Sequence, residues 1–381
     1  MEKTGTERAF QDKALNLKKE SDQGGKEMTN RENFLSLLRR QGYEHVPVEF
    51  VLCPHLQKLC KEKLGAEDYE EYFGFPWRRV DDLKLADQDV EKFRKFYERP
   101  LAEGADIDLW GVGHEKSPNS MHMTYMRHPM EDMETLEEVM EYPFPDFAHA
   151  DGSHQPEQVK KIKEQDLVAL GDMQMTIWEC AWYMRSMEEL FCDMGDENEI
   201  AEFLFDKVTE LSLIRAKAYA NAGVDVLFLG DDIGMQHTIM MSEELYCRWI
   251  KPRLKKIIDE VKRINPEIII FYHSCGFIEP MIPHLIEAGV DVLNPIQSEC
   301  MDFGEIYQKY GDKLSFHGTI GTQTVMPKGT PEEVKEAVWK NLDIAGEKGG
   351  LFVAPTHMLE PEVPLENILA YVEACRTYRR S

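Results

Sequence analysis

The sequence predicts an α/β protein, a closed (β/α)8 TIM barrel, and three observations lead there. Eight short apolar or β-branched runs recur along the chain, stretches with helical spacing of apolar residues separate them, and several of those stretches end in glycine. Runs that are apolar on both faces and alternate with helices imply a parallel sheet covered on both sides. Eight such units in 381 residues favour closure into a barrel over an open doubly wound sheet.

Residues 1–28 form a polar, charged N-terminal arm, expected to be disordered or a loose helix. A single barrel domain over 29–381 then opens with "TNRENFLSLLRRQ", where Thr29 and Glu32 have the spacing of a capping box. The candidate strands are "VPVEFVL" (46–52), "DIDLWGV" (106–112), "LVALGDM" (167–173), "VDVLFLG" (224–230), "EIIIFYH" (267–273), "VDVLNPI" (290–296), "KLSFHGT" (313–319) and "GLFVAPT" (350–356). Segments such as "DENEIAEFLFDKVTELSLIRAKAYANAG" and "TPEEVKEAVWKNLDIAGEKGG" read as crossover helices. The interval 113–166 is too long for one loop and is expected to be an insertion over the C-terminal face of the barrel.

Composition removes several function classes. With a net charge of −26, attraction to nucleic acid or to an anionic membrane surface is disfavoured. No window reaches the roughly 18 consecutive apolar residues of a membrane span, and residues 1–28 lack the apolar centre of a signal peptide, so a cytoplasmic protein is expected. The eight cysteines are scattered and form no C-x-x-C pair, which argues against a disulfide framework. Together with twenty methionines they suit a reducing or anaerobic interior. "WGVGHEK" lacks the third glycine of a dinucleotide fingerprint, and no phosphate-binding G-x-x-x-x-G-K-[ST] occurs.

Barrel enzymes carry their chemistry at the carboxyl ends of the strands. There the chain places Asp231, Asp232, Gln236 and His237 after the fourth run, and His273 and Cys275 after the fifth. Asn294 and Gln297 follow the sixth, His317 the seventh, and Thr356 and His357 the eighth. A thiolate and neutral imidazoles are good zinc ligands, and a catalytic zinc takes three protein ligands and keeps an open position. H-x-C alone is a weak motif, equally at home at the end of a buried strand; its predicted position at the catalytic face, with His357 arriving 82 residues after Cys275, is what raises the metal reading.

These residues resemble the uroporphyrinogen decarboxylase superfamily, in particular its zinc- and corrinoid-dependent methyltransferase branch. The resemblance runs from about residue 29 to 380 and is most specific in "VLFLGDDIGMQ", "YHSCGFIEPMIPHLIEAGVDVLNPIQ", "GTIGTQTVMPKGTPEEV" and "GGLFVAPTHMLEPEVPLENILA". It implies a barrel with zinc held by a His-x-Cys pair, matched by His273 and Cys275, and by a later cysteine after the last strand. The chain has no cysteine in "APTHML" and offers His357 instead, with Asp231, Asp232 or Cys300 as substitutes. Imidazole for thiolate leaves a more Lewis-acidic ion. The arginine-rich segment of true decarboxylases is absent, since "VLCPHLQKLCKEKLG" contains no arginine.

The resemblance implies a methyltransferase moving a methyl group between a small substrate and the corrinoid (cobalamin) of a partner protein. A methyl aryl ether substrate (O-demethylation) is preferred over a thiol, because "FGFPW" (73–77) and "QMTIWECAWYM" (174–184) could wall an aromatic pocket, although Trp178, Trp182 and Tyr183 are equally read as core. Asp231 and Asp232 are metal ligands, partners that orient His273, or proton donors; the plain alternative is helix capping. Gln236 is expected to touch a polar substituent or solvent, and His317 to line the pocket or pack inside the barrel. A cofactor-free decarboxylase and a noncatalytic partner of a corrinoid protein remain the alternative functions, and a homodimer is compatible with either.

Overall fold

A computed structural model describes residues 28–117 and 124–379. The expected N-terminal arm up to residue 27 lies outside the described residues. Seven strands build one sheet: β1 (Trp77–Val80), β5 (Val168–Met173), β6 (Val226–Gly230), β7 (Ile269–His273), β8 (Val292–Ile296), β9 (Ser315–Ile320) and β10 (Leu351–Pro355), in that spatial order. Every neighbouring pair is parallel. A separate antiparallel sheet holds β2 (Asp106–Ile107), β3 (Gly113–Lys116) and β4 (Thr124–Arg127).

The parallel sheet curls until its two ends meet. The rings of Trp77 on β1 and Phe352 on β10 lie 5.3 Å apart, edge to face. An extended segment over residues 46–53 lies along this seam: Cys53 N–H donates to the Leu359 carbonyl, Leu359 N–H donates to Val51, and the Tyr371 hydroxyl donates to the carbonyls of Glu49 and Val353. The result is a (β/α)8 barrel whose remaining stave is this loosely paired segment. Its interior is aromatic, with Trp77, Phe228, Phe271 and Phe352 in successive edge contacts that each contribute roughly 1 kcal/mol beyond burial.

The helix Asn30–Leu38 closes the amino-terminal end. Thr29 and Glu32 form the expected capping box. Arg31 pairs with Asp225 just before β6, the carbonyl of Leu38 accepts from the Ser315 hydroxyl, and Gly350 N–H donates to Leu37. The two long crossover helices also form as the spacing predicts, over Glu199–Ala222 with left-handed Gly223 at its end and over Pro331–Ala345 behind a Thr330/Glu333 box.

Two expected strands are corrected, and three were missed, β1 in the barrel and β3 and β4 in the small sheet. In 46–52 only Leu52 makes a strand bridge, because Pro47 has no N–H to donate and the Glu49 N–H goes to the Tyr371 hydroxyl. In 106–112 the Asp108 carboxylate accepts from the N–H groups of Trp110 and Val112 and turns the chain, so only Asp106–Ile107 is extended, in the small sheet. The true β1, "WRRV", hides behind two arginines, of which Arg79 is partnered across the rim by Asp172 at 2.9 Å. The excursion between β1 and β5 therefore starts earlier than residue 113. It is fastened to the helix Trp178–Arg185: His128 Nδ1 meets the Tyr183 carbonyl at 2.8 Å, and buried Arg185 donates to the carbonyls of Met130 and Met133.

Candidate metal centre

Asp232, His273 and Cys275 converge where β6 and β7 end, their donor atoms all within 4.8 Å of one another. His273 Nε2 is 3.6 Å from Cys275 Sγ and 3.5 Å from Asp232 Oδ1. A tetrahedral ion with metal–ligand distances of about 2.0–2.3 Å separates its ligands by roughly 3.3–3.8 Å. The two separations made by the His273 nitrogen fall in that range, and the thiolate and carboxylate would balance a divalent charge.

Local chain geometry aims these groups. The Cys275 N–H donates to Asp232 Oδ1 at 2.7 Å, tying the loop after β7 to the loop after β6. Gly276 follows with φ +85, and a Cβ there would meet the Met235 carbonyl oxygen at 2.6 Å. Gly276 N–H donates to Gln297 Oε1. Burial, then the Asp232 charge, pushes the Cys275 thiol well above the ordinary thiol range. Binding a divalent ion at this sulfur would therefore displace a proton.

Behind the three donor atoms runs a chain of side chains. His273 Nδ1 is 2.5 Å from Asn294 Oδ1, Asn294 Nδ2 contacts His317 Nδ1, and His317 Nε2 lies 3.0 Å from Glu49 Oε2. Glu49, Asn294 and His317 are all buried.

The remaining expected residues fall in different places. His357 is exposed at the mouth and outside the three-residue cluster, yet its imidazole is held below its ordinary value by desolvation and by the neighbouring His273. Cys300 also lies outside the cluster, near enough that its charge acts on Cys275. Asp231 is turned away from the mouth: fully buried, its carboxylate accepts from the N–H groups of Thr176, Ile177 and Glu179 at the start of the helix Trp178–Arg185. Burial nevertheless holds it up to about 7. Trp178 belongs to the core, its ring packed on Phe191 at 4.9 Å, because that helix turns its apolar face inward. Gln236 is exposed on a small loop closed by the Gly234–Ile239 bridge. His317 sits inside the barrel behind the cluster, among Trp77, Phe271 and Phe352.

Two residues near the site were not among the sequence expectations. Glu179 is buried beside Asp231 and Asp232, accepts from the Tyr183 hydroxyl at 2.9 Å, and is pushed up to about 8 by burial and then by those two carboxylates. Glu49 was one charge inside an apolar run, and that isolation was the only clue to its burial.

The family model for uroporphyrinogen decarboxylase (URO-D) matches residues 119–378. The chain belongs to the uroporphyrinogen decarboxylase family. Among curated relatives, a methylated-thiol–coenzyme M methyltransferase of Methanosarcina mazei is 28% identical over 187 residues, covering 47% of this chain and 45% of that protein. A methylcobamide:CoM methyltransferase, MtbA, of Methanosarcina acetivorans is 21% identical over 368 residues, covering 93% and 99%. A uroporphyrinogen decarboxylase of Coxiella burnetii is 24% identical over 184 residues, covering 47% and 48%. For the first of these and for the decarboxylase, the match spans about half the length of the relative. A solved methyltransferase from Methanosarcina mazei superposes with a TM-score of 0.61 at 20% identity, covering 91% of this chain and 98% of that one, which establishes the shared barrel of the family.

Proposed function

We propose that this member of the uroporphyrinogen decarboxylase family is a zinc-dependent methyltransferase that moves a methyl group between a methyl aryl ether and the cobalt of a separate corrinoid protein. The observation that carries this reading is the convergence of Asp232, His273 and Cys275 at the catalytic end of the barrel. The matches to methyltransferases named for methylcobamide and coenzyme M support the general reaction.

Zinc bound there would supply Lewis acidity and an open coordination position. The chain's own groups do the rest. His273, Cys275 and Asp232 hold the ion, and His357 stands at the rim beside them. One thiolate with an imidazole and a carboxylate is a harder donor set than two thiolates, which favours an oxygen-bearing substrate group over a thiol. The Phe228 ring lies 6.1 Å from the His273 ring and offers an apolar face to a substrate ring. A cofactor-free decarboxylase is less well served, since the helix Pro54–Leu64 carries no arginine to receive substrate carboxylates.

The test combines metal analysis with turnover. The purified protein is expected to hold about one zinc per chain, lost in His273→Ala and Cys275→Ala, and to methylate a reduced corrinoid protein from methoxylated aromatics, followed by the cobalt absorbance change. Methylamines and thiols complete the panel. Turnover with thiols alone would overturn the ether assignment, and turnover indifferent to zinc would overturn the metal reading.

A further inference from the structure

The buried chain of side chains behind His273 has a direction that its chemistry fixes. An amide nitrogen only donates and an amide oxygen only accepts. Asn294 Nδ2 therefore donates to His317 Nδ1, which leaves the His317 proton on Nε2, where Glu49 Oε2 accepts it. At the other end Asn294 Oδ1 accepts from His273 Nδ1–H, so His273 presents a bare lone pair at Nε2, the atom facing Cys275 and Asp232. The opposite amide orientation would force a proton onto that same Nε2 and abolish its capacity as a ligand. All three supporting residues are buried, and aromatic rings surround His317, so these hydrogen bonds act in a low-dielectric interior.

We propose that Glu49, His317 and Asn294 are positioning residues that hold His273 in the metal-binding tautomer and pass the Glu49 charge along the chain to strengthen its donor nitrogen. Carboxylates commonly orient metal-bound imidazoles directly. Here the carboxylate acts at a distance, through a histidine and an amide, across the seam of the barrel from the extended segment to β7. This inference rests on the proposed zinc site, and the experiment separates the two.

Zinc affinity is measured by chelator competition on the whole chain, together with the visible spectrum of the cobalt(II)-substituted protein and the unfolding temperature of the metal-free protein. Asn294→Leu is expected to weaken zinc binding by about 10- to 100-fold and to shift the cobalt bands. Glu49→Gln, which keeps an acceptor for His317 but removes the charge, is expected to weaken it several-fold with the metal-free unfolding temperature unchanged. Asn294→Asp places a carboxylate directly on His273 Nδ1–H and is expected to retain affinity. If His273→Ala abolishes zinc binding while Asn294→Leu and Glu49→Gln bind as wild type, the relay is wrong and the metal site stands. If His273→Ala also binds as wild type, the metal site itself is wrong.

Discussion

Asp231 and Asp232 are adjacent in the chain, yet their carboxylates serve opposite sides of one loop. Asp232 faces His273 and Cys275, while Asp231 points back into the protein and accepts the N–H groups of Thr176, Ile177 and Glu179. The helix that carries Glu179 is thus anchored by the residue next to a candidate metal ligand.

Asp231→Ala should cost about 2–4 kcal/mol, because it strands the buried N–H groups of Ile177 and Glu179, while that of Thr176 keeps the Gly230 carbonyl. Asp231→Asn keeps one acceptor oxygen and should lose less. Urea unfolding midpoints check this, and wild-type values for both variants would contradict the capping role.

Gly276→Ala places a methyl group in a left-handed conformation and against the Met235 carbonyl oxygen. The strain is expected to cost about 1–3 kcal/mol. Since the residue follows Cys275 directly, zinc content should fall with it. Thermal unfolding and metal analysis read the two effects, and an unchanged unfolding temperature would show that the turn relaxes freely.

Arg185 is buried, donates its Nε–H to Asp193 at 2.9 Å, and holds the carbonyls of Met130 and Met133. Arg185→Met leaves Asp193 without its charge partner and releases the excursion from the barrel. A loss of about 3 kcal/mol is expected, with faster proteolysis between residues 124 and 150. Equal cleavage rates would argue that other contacts hold that segment.

Burial pushes the Cys60 thiol up to about 11. The folded state binds this proton more tightly than the unfolded chain, so the stabilisation is complete below the ordinary thiol value of about 8.5 and is lost as pH rises toward the folded value. Wild-type stability should fall by roughly 3 kcal/mol more than that of Cys60→Ala across this alkaline window. Parallel stability curves for the two proteins would refute it.

The repeating parts of the fold were legible because periodicity and capping report on local physics. Thr29 and Gly223 mark their helices in the sequence and again in space. β1 was not legible, since Arg78 and Arg79 suggest a surface until Asp172 arrives from a strand some ninety residues later. At the site, His273 and Cys275 were found from their place at a strand end, and Asp232 was one of several substitutes for a missing cysteine. Separating Asp232 from Asp231 needed side-chain direction, which pattern alone does not carry. Trp178 and Glu179 show the same limit: neighbours on one helix, one turned into the core and the other toward the mouth.

All three candidate ligands come from two adjoining staves, β6 and β7. Most of the rim's circumference is thereby relieved of the duty of gripping an ion. Mutation can reshape the loops after the other staves, and with them the choice of compound admitted, while these three candidate ligands stay undisturbed. Such a division of labour gives one scaffold a route to many diets.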